Sequence, residues 1–231
     1  KDLVESANTS SQSLMAIMNN VLDMSKIEAG KYILELQPTN LRQLLHEINQ
    51  TFTIFSENKR VTLVANIDPL IADVLLIDPL RLRQVLQNLL SNAIKFSAEG
   101  VVFFDVRILA NDHAGQLIEF RIIDNGVGMA KEDIERALKP YEQVGSHTTT
   151  SQASTPGTGL GLSICNHAIN LMQSQLNTES IPNLGTNVHF ITAFSRTGLE
   201  IPEIIKPPSG NHQHLWEKTR ALIVEDHPAN R

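Results

Sequence analysis

Helical spacing is clearest between Arg81 and Phe96, where Leu82, Val85, Leu86, Leu89, Leu90, Ala93, Ile94 and Phe96 fill one broad face at about 100° per residue. Arg81, Gln84, Asn88, Ser91, Asn92 and Lys95 fill the other. Asp78-Pro79 starts this helix: the acid caps it, and proline at the first position gives up an N–H that would have no partner there. A second pattern, Leu3, Ala7, Ser10, Leu14, Ile17, Val21 and Met24, advances by alternating steps of four and three. It predicts one long helix over residues 1–28, stopped by Gly30, with a seam suited to another helix. Leu41, Leu44, Leu45, Ile48, Phe52 and Phe55 form the core face of a further helix, capped by Asn40 and running to about Asn58.

Alternation by two governs other stretches. Strands are predicted at 32–36 (closed by Pro38), Val61–Ile67, 74–77, 101–109, 117–123, 176–181 and 188–194, with 101–109 and 117–123 forming a hairpin. Shorter helices fit 131–138 and 160–173. This order of elements predicts an α+β fold: a two-layer α/β sandwich, in which a mixed sheet of about five strands is covered on one face by three helices and preceded by one long helix.

Composition narrows the function classes. The 231 residues are 42% hydrophobic and 19% charged, enough for one sizeable core with appendages. Net charge is −6, aromatics are 5% and no basic run occurs, so nucleic acid is not an expected partner. Cys165 is the single cysteine and sits among apolar residues, which indicates packing and a reducing compartment. No stretch approaches the roughly 20 apolar residues of a membrane span, and there is no signal peptide. The expectation is a soluble, cytoplasmic portion of a parent protein that other segments could anchor in a bacterial inner membrane.

Candidate chemistry lies on three motifs. Asn88, Asn92 and Lys95 stack on one helix stripe, offering two amide oxygens and a cation with no carboxylate among them. An amide oxygen can ligate Mg²⁺ and a lysine can meet a phosphate, although the stripe alone also fits a plain solvated face. Asp124-Asn125-Gly126-Val127-Gly128-Met129 follows a predicted strand, and by itself would be only a tight turn. Gly157-Thr158-Gly159-Leu160-Gly161-Leu162 opens a predicted helix, without the G-x-G-x-x-G spacing of dinucleotide sites. Just before it, residues 145–156 are rich in Ser and Thr and carry almost nothing apolar, so they cannot fix their own conformation; a mobile lid and a plain surface loop both fit, and the position before the Gly157 motif favours the lid.

In this order the three motifs resemble the N, G1 and G2 boxes of the sensor histidine kinases. That family belongs to the ATPase superfamily shared with DNA gyrase, the MutL repair proteins and the ninety-kilodalton heat-shock chaperone. The resemblance implies ATP and Mg²⁺ as cofactors. Asp124 would accept from the adenine amino group, while Gly126 and Gly128 would let the backbone approach the base. Asn92 would hold Mg²⁺, Lys95 would pair with a phosphate oxygen, and Asn88 would orient the region of the γ-phosphate. Gly157, Thr158, Gly159, Leu160, Gly161 and Leu162 would form the end of the lid and the phosphate-facing helix start. Tyr141 stands where most members have Phe, and Gly185-Thr186 resembles a weaker third glycine box.

The implied activity is transfer of the ATP γ-phosphate to a histidine on a helix of the parent kinase outside this sequence. Residues 1–30, with the turn Glu28-Ala29-Gly30-Lys31, resemble the second helix of the dimerisation and phosphotransfer hairpin, so a homodimer through residues 1–28 is a candidate association. Residues 31–197 would be the ATP-binding domain and the proline-containing stretch 198–219 a linker. Residues 220–231, with Glu225-Asp226, resemble the start of a receiver domain, which makes a receiver domain or response regulator the expected downstream partner. His46-Glu47-Ile48 opens like the family's acceptor motif but lacks its arginine and proline, and so reads as a surface histidine. Two other classes stay open. An ATP-hydrolysing clamp would need a carboxylate where Asn88 stands. A non-catalytic module acting through partner binding would fit the departures at Tyr141, at Gln173-Ser174-Gln175 and in the lid, which lacks the usual basic residue.

Overall fold

Long alternating runs pair here into a sheet with one apolar side. The structure, a computed structural model, describes residues 2–142 and 159–196, with the side chains of residues 2–10, 12, 13 and 16 left out. Among these residues a five-stranded sheet runs in the order β2-β4-β5-β7-β6. Its members are β2 (Val61–Ile67), β4 (Gly100–Asn111), β5 (Gly115–Asp124), β6 (Asn177–Ile181) and β7 (Gly185–Ser195). Only β2 and β4 run parallel, with Val61 opposite Gly100. A parallel pair needs a crossover. Here it is made by β3 (Leu75–Ile77) and helix α3 (Pro79–Phe96). The remaining pairs are antiparallel.

Val102, Phe104, Val106, Ile118, Phe120, Ile122 and Phe190 form the buried side of the sheet, with Phe120 stacked on Phe190 at 4.9 Å between ring centroids. The apolar faces of α2 (Leu41–Glu57), α3 and α5 (Gly161–Leu171) join the same core. The other face of the sheet carries alternate polar residues, among them Glu119 between Arg107 and Arg121 at 3.3 and 2.7 Å. The sandwich expected from the sequence is therefore present. α1 (Asp2–Glu28) precedes it, and α4 (Lys131–Ala137) follows β5.

Three details differ from the sequence pattern. Residues 32–36 form no strand; only β1 (Gln37–Thr39) pairs, antiparallel to β3. The alternation at 32–36 instead serves side-chain anchoring: Tyr32 is buried, and the Glu35 N–H donates to Asp78 Oδ2. Pro38, expected to close a strand, sits inside β1, where an edge position tolerates its missing donor. Phe55 and Phe96, assigned to core faces, are only partly covered near the ends of their helices, at 38% and 44% exposure. In the long helix, Met24 is buried against Leu160 and Ile164, whereas Leu14, Ile17 and Val21 of the seam are exposed.

Candidate functional site

α3 is built as its pattern requires. Asp78 caps it by accepting from the Arg81 N–H at 3.0 Å, and Pro79 takes the first position. Burial of Leu82, Val85, Leu86, Leu89, Leu90, Ala93 and Ile94 fixes its rotation, leaving Asn88, Asn92 and Lys95 half-buried on the other side. Asn88 meets the start of α5: a Cβ on Gly161 would lie 3.3 Å from Asn88 Oδ1. Asn88 also hydrogen-bonds the Cys165 thiol, which burial pushes up to about 12 against the pull of that bond. Cys165 is thus a packed, inert thiol. The Lys95 ammonium sits 5.3 Å from the Phe96 ring centroid. Desolvation, and then repulsion from Lys59, holds its pKa below the ordinary lysine value.

Asp124 closes β5. Its Oδ1 accepts from Gly126 N at 2.8 Å and Thr186 N at 3.2 Å, so Oδ2 is left to meet a ligand donor. Burial raises its pKa, opposed by those two backbone bonds. The turn is fastened to α3 by Val127 N–H donating to the Phe96 carbonyl at 3.3 Å. A Cβ on Gly126 would stand 2.5 Å from that same carbonyl, and one on Gly128 2.0 Å from the Ile181 carbonyl. These two glycines are therefore demanded by the protein's own backbone, a different reason from the approach of a base. Gly185, at φ +107°, would carry its Cβ 1.9 Å from the Asp124 carbonyl.

The neck of the predicted lid is closed by Tyr141 N–H donating to the Gly159 carbonyl at 3.0 Å. Tyr141 is exposed and takes a positive φ of 65°. Gly157, Thr158 and the Ser/Thr-rich stretch lie outside the described residues, as do the linker and the receiver-like end. Leu160 is buried with Met24 and Ile164, and Leu162 packs on the main core, so their side chains serve packing. At the start of α5 no side chain of the described residues caps the helix, and a helix start of this kind suits an anion.

The structure brings Asp124, Gly126, Gly128, Thr186 and the C-terminal turn of α3 together, and sets Asn88 against α5 two helical turns earlier. Sequence reasoning missed Ser180. Its hydroxyl accepts from Met129 N at 2.7 Å, lies 3.0 Å from the Gly185 carbonyl and contacts the Thr186 hydroxyl at 2.9 Å, tying β6 and β7 to the Asp124 turn. An isolated serine in a short strand gave no signal of this. His46 is exposed on α2, and His113 is exposed in the β4–β5 turn, as expected of both. No group of three or more His, Cys, Asp or Glu residues among those described could hold a metal alone. Any Mg²⁺ would need ligand oxygens besides an amide, which the phosphates of a nucleotide supply. No helix among the described residues is long and apolar enough to cross a membrane.

Comparison with known proteins agrees with this geometry. Residues 77–196 match the family described as histidine kinase-, DNA gyrase B- and HSP90-like ATPase. The chain is similar to the virulence sensor protein BvgS of Bordetella bronchiseptica, at 36% identity over 98% of this chain and 18% of that protein. It is also 34% identical to the sensor histidine kinase RcsC of Escherichia coli K12 over 87% of this chain and 20% of the relative. Thus it spans about a fifth of the length of these relatives. Among solved structures, full-length ShkA in complex with AMPPNP superposes with a TM-score of 0.68 at 25% identity, covering 86% of this chain and 39% of ShkA. The Acinetobacter baumannii histidine kinase AdeS superposes at 0.61, covering 86% of each chain at 18% identity, a likeness of fold.

Proposed function

Because the chain belongs to the histidine kinase-, DNA gyrase B- and HSP90-like ATPase family, we propose that it is the ATP-binding catalytic part of a hybrid sensor histidine kinase. The observation that carries the reading is Asp124. It is a half-buried carboxylate at a strand end, with Oδ1 occupied by backbone and Oδ2 free to accept from an adenine amino group. The turn that positions it is fastened to the helix bearing Asn88, Asn92 and Lys95.

Asn92 would hold Mg²⁺ together with phosphate oxygens, and that ion, when bound, neutralises charge on the transferring phosphate. Lys95 binds phosphate as a cation already poised in a partly desolvated place. Asn88 orients the γ-phosphate end beside the N-terminus of α5. Gly159 and Tyr141, joined through their backbones, would stand at the two ends of a lid over the nucleotide, a stretch to which the sequence also assigns Gly157 and Thr158. Phosphoryl transfer is mainly positioning and charge neutralisation, so this chain supplies the donor and another helix supplies the histidine. Residues 1–30 then form the second helix of a dimerisation hairpin, 31–197 the ATP-binding domain, 198–219 a linker and 220–231 the start of a receiver domain. Asn88 is no general base, which weighs against an ATP-hydrolysing clamp.

Calorimetric titration with AMPPNP and Mg²⁺ tests this: the chain binds, and Asp124→Ala does not. Equal, undetectable binding in both would replace the kinase reading with a non-catalytic scaffold. None of the chain's eight histidines lies in an acceptor motif. Incubation with radiolabelled ATP is therefore expected to leave no acid-labile phosphate on this chain, and label on a histidine would overturn that.

A further inference from the structure

Thr186 of β7 lies opposite Asp124 of β5 on one side and Ser180 of β6 on the other, so the three side chains form a row on one face of the sheet. It is the face that carries buried Ile122, two residues before Asp124. Three groups converge on the Ser180 hydroxyl: Met129 N–H at 2.7 Å, the Gly185 carbonyl at 3.0 Å and the Thr186 hydroxyl at 2.9 Å. A serine hydroxyl has one proton to give and two lone pairs to fill. Met129 N–H can only donate, and takes one lone pair. The Gly185 carbonyl can only accept, and takes the proton. What is left for Thr186 is the second lone pair, so its hydroxyl points its own proton at Ser180. Thr186 Oγ1 then turns only lone pairs outward. Beside it, Asp124 Oδ1 is held by Gly126 N and Thr186 N, which leaves Oδ2 as a second acceptor.

We propose that Ser180 sets the base specificity of the site: by claiming the Thr186 proton it fixes two acceptors, Asp124 Oδ2 and Thr186 Oγ1, against the 6-position of a purine, and so selects a 6-amino over a 6-oxo base. This rests on the nucleotide reading above, with Asp124 at the base. A 6-amino group brings two N–H donors to two acceptors. A 6-oxo group brings a third acceptor, and neither protein group has a proton to offer it. Polar groups left facing without a proton between them are costly, which is why hydrogen-bonding sites discriminate far better than apolar ones. Without the Ser180 hydroxyl, the Thr186 proton is free to turn toward the base and meet a 6-oxo group. Ser180 touches no nucleotide and acts through Thr186, which makes it a positioning residue.

Calorimetry on the full chain with Mg²⁺ tests this, with ADP and inosine diphosphate as the two probes and the ratio of their dissociation constants as the readout. The unsubstituted chain is expected to prefer ADP by about a hundredfold. Ser180→Ala lowers that preference about tenfold, and Ser180→Thr, which keeps the hydroxyl, restores it. If Ser180→Ala fails to fold, Ser180→Cys serves, because a thiol is too weak an acceptor to hold the Thr186 proton. Loss of bracing alone weakens both nucleotides equally. A preference unchanged in Ser180→Ala or Ser180→Cys therefore overturns the assignment, while ADP binding by the unsubstituted chain leaves the nucleotide reading standing. Binding of neither nucleotide by the unsubstituted chain overturns that reading, and this inference with it.

Discussion

Asp124 shows how one carboxyl is prepared by its surroundings. Burial raises its pKa, while backbone N–H groups of Gly126 and Thr186 limit the rise. In the free protein the folded carboxyl therefore takes up its proton at a higher pH than an unfolded one, and the folded state gains relative stability as pH falls through that raised value. Binding runs the other way, because an adenine amino group needs an ionised acceptor. AMPPNP affinity is expected to fall on acidification starting above the ordinary carboxyl value of 3.8, with Asp124→Asn showing weak affinity and no such dependence. Calorimetry across pH reads this directly. Gly185 belongs to the same scale: its positive φ and the Asp124 carbonyl beneath it leave no room for any side chain. The sequence showed a glycine there, but not that the neighbour forbidding a Cβ is the carbonyl of Asp124 itself.

At the scale of the element, α3 separates two tasks by face. Its apolar side holds the molecule together, so a truncation such as Leu90→Ala would cost about 2–5 kcal/mol and blur any functional reading. At Asn92, away from the contacts that Arg81 and Gln84 make with Asp23, its polar side can be changed with little effect on folding. Asn92→Ala is expected to leave the thermal midpoint near that of the unsubstituted chain while abolishing the Mg²⁺ dependence of AMPPNP binding. Retained Mg²⁺ dependence would move the metal ligand elsewhere. Both faces were legible in the sequence because helical periodicity and the Asp78-Pro79 start are local signals. The strand assignment at 32–36 failed for the converse reason. Alternation says which side chains point the same way, and not whether a neighbouring strand is present to pair. There the backbone is claimed by Asp78 and the side chain of Tyr32 by Arg81.

For the molecule as a whole, the open question set by its surface is α1. Leu14 (59% exposed), Met18, Val21 and Leu22 run along it uncovered by this chain's own domain. A stripe of large apolar side chains of this kind marks an interaction face. Sedimentation is expected to show concentration-dependent self-association of the chain, reduced to monomer by Leu14→Glu with Val21→Glu, with AMPPNP binding retained. A monomer at all concentrations would assign the stripe to a helix outside this sequence alone.

What the sequence by itself determined is what short range controls: the faces of α2 and α3, the glycine-bearing turns, the order of the strands along the chain and the family they indicate. Tertiary structure alone decided which carbonyls exclude a Cβ at Gly126, Gly128 and Gly185, that Ser180 braces the Asp124 turn, and that Asp23 meets Arg81 across 58 positions of chain. Those contacts join residues far apart in sequence, and no local period or propensity encodes a partner's identity. They exist because burial of one common core brings separate elements within hydrogen-bonding distance.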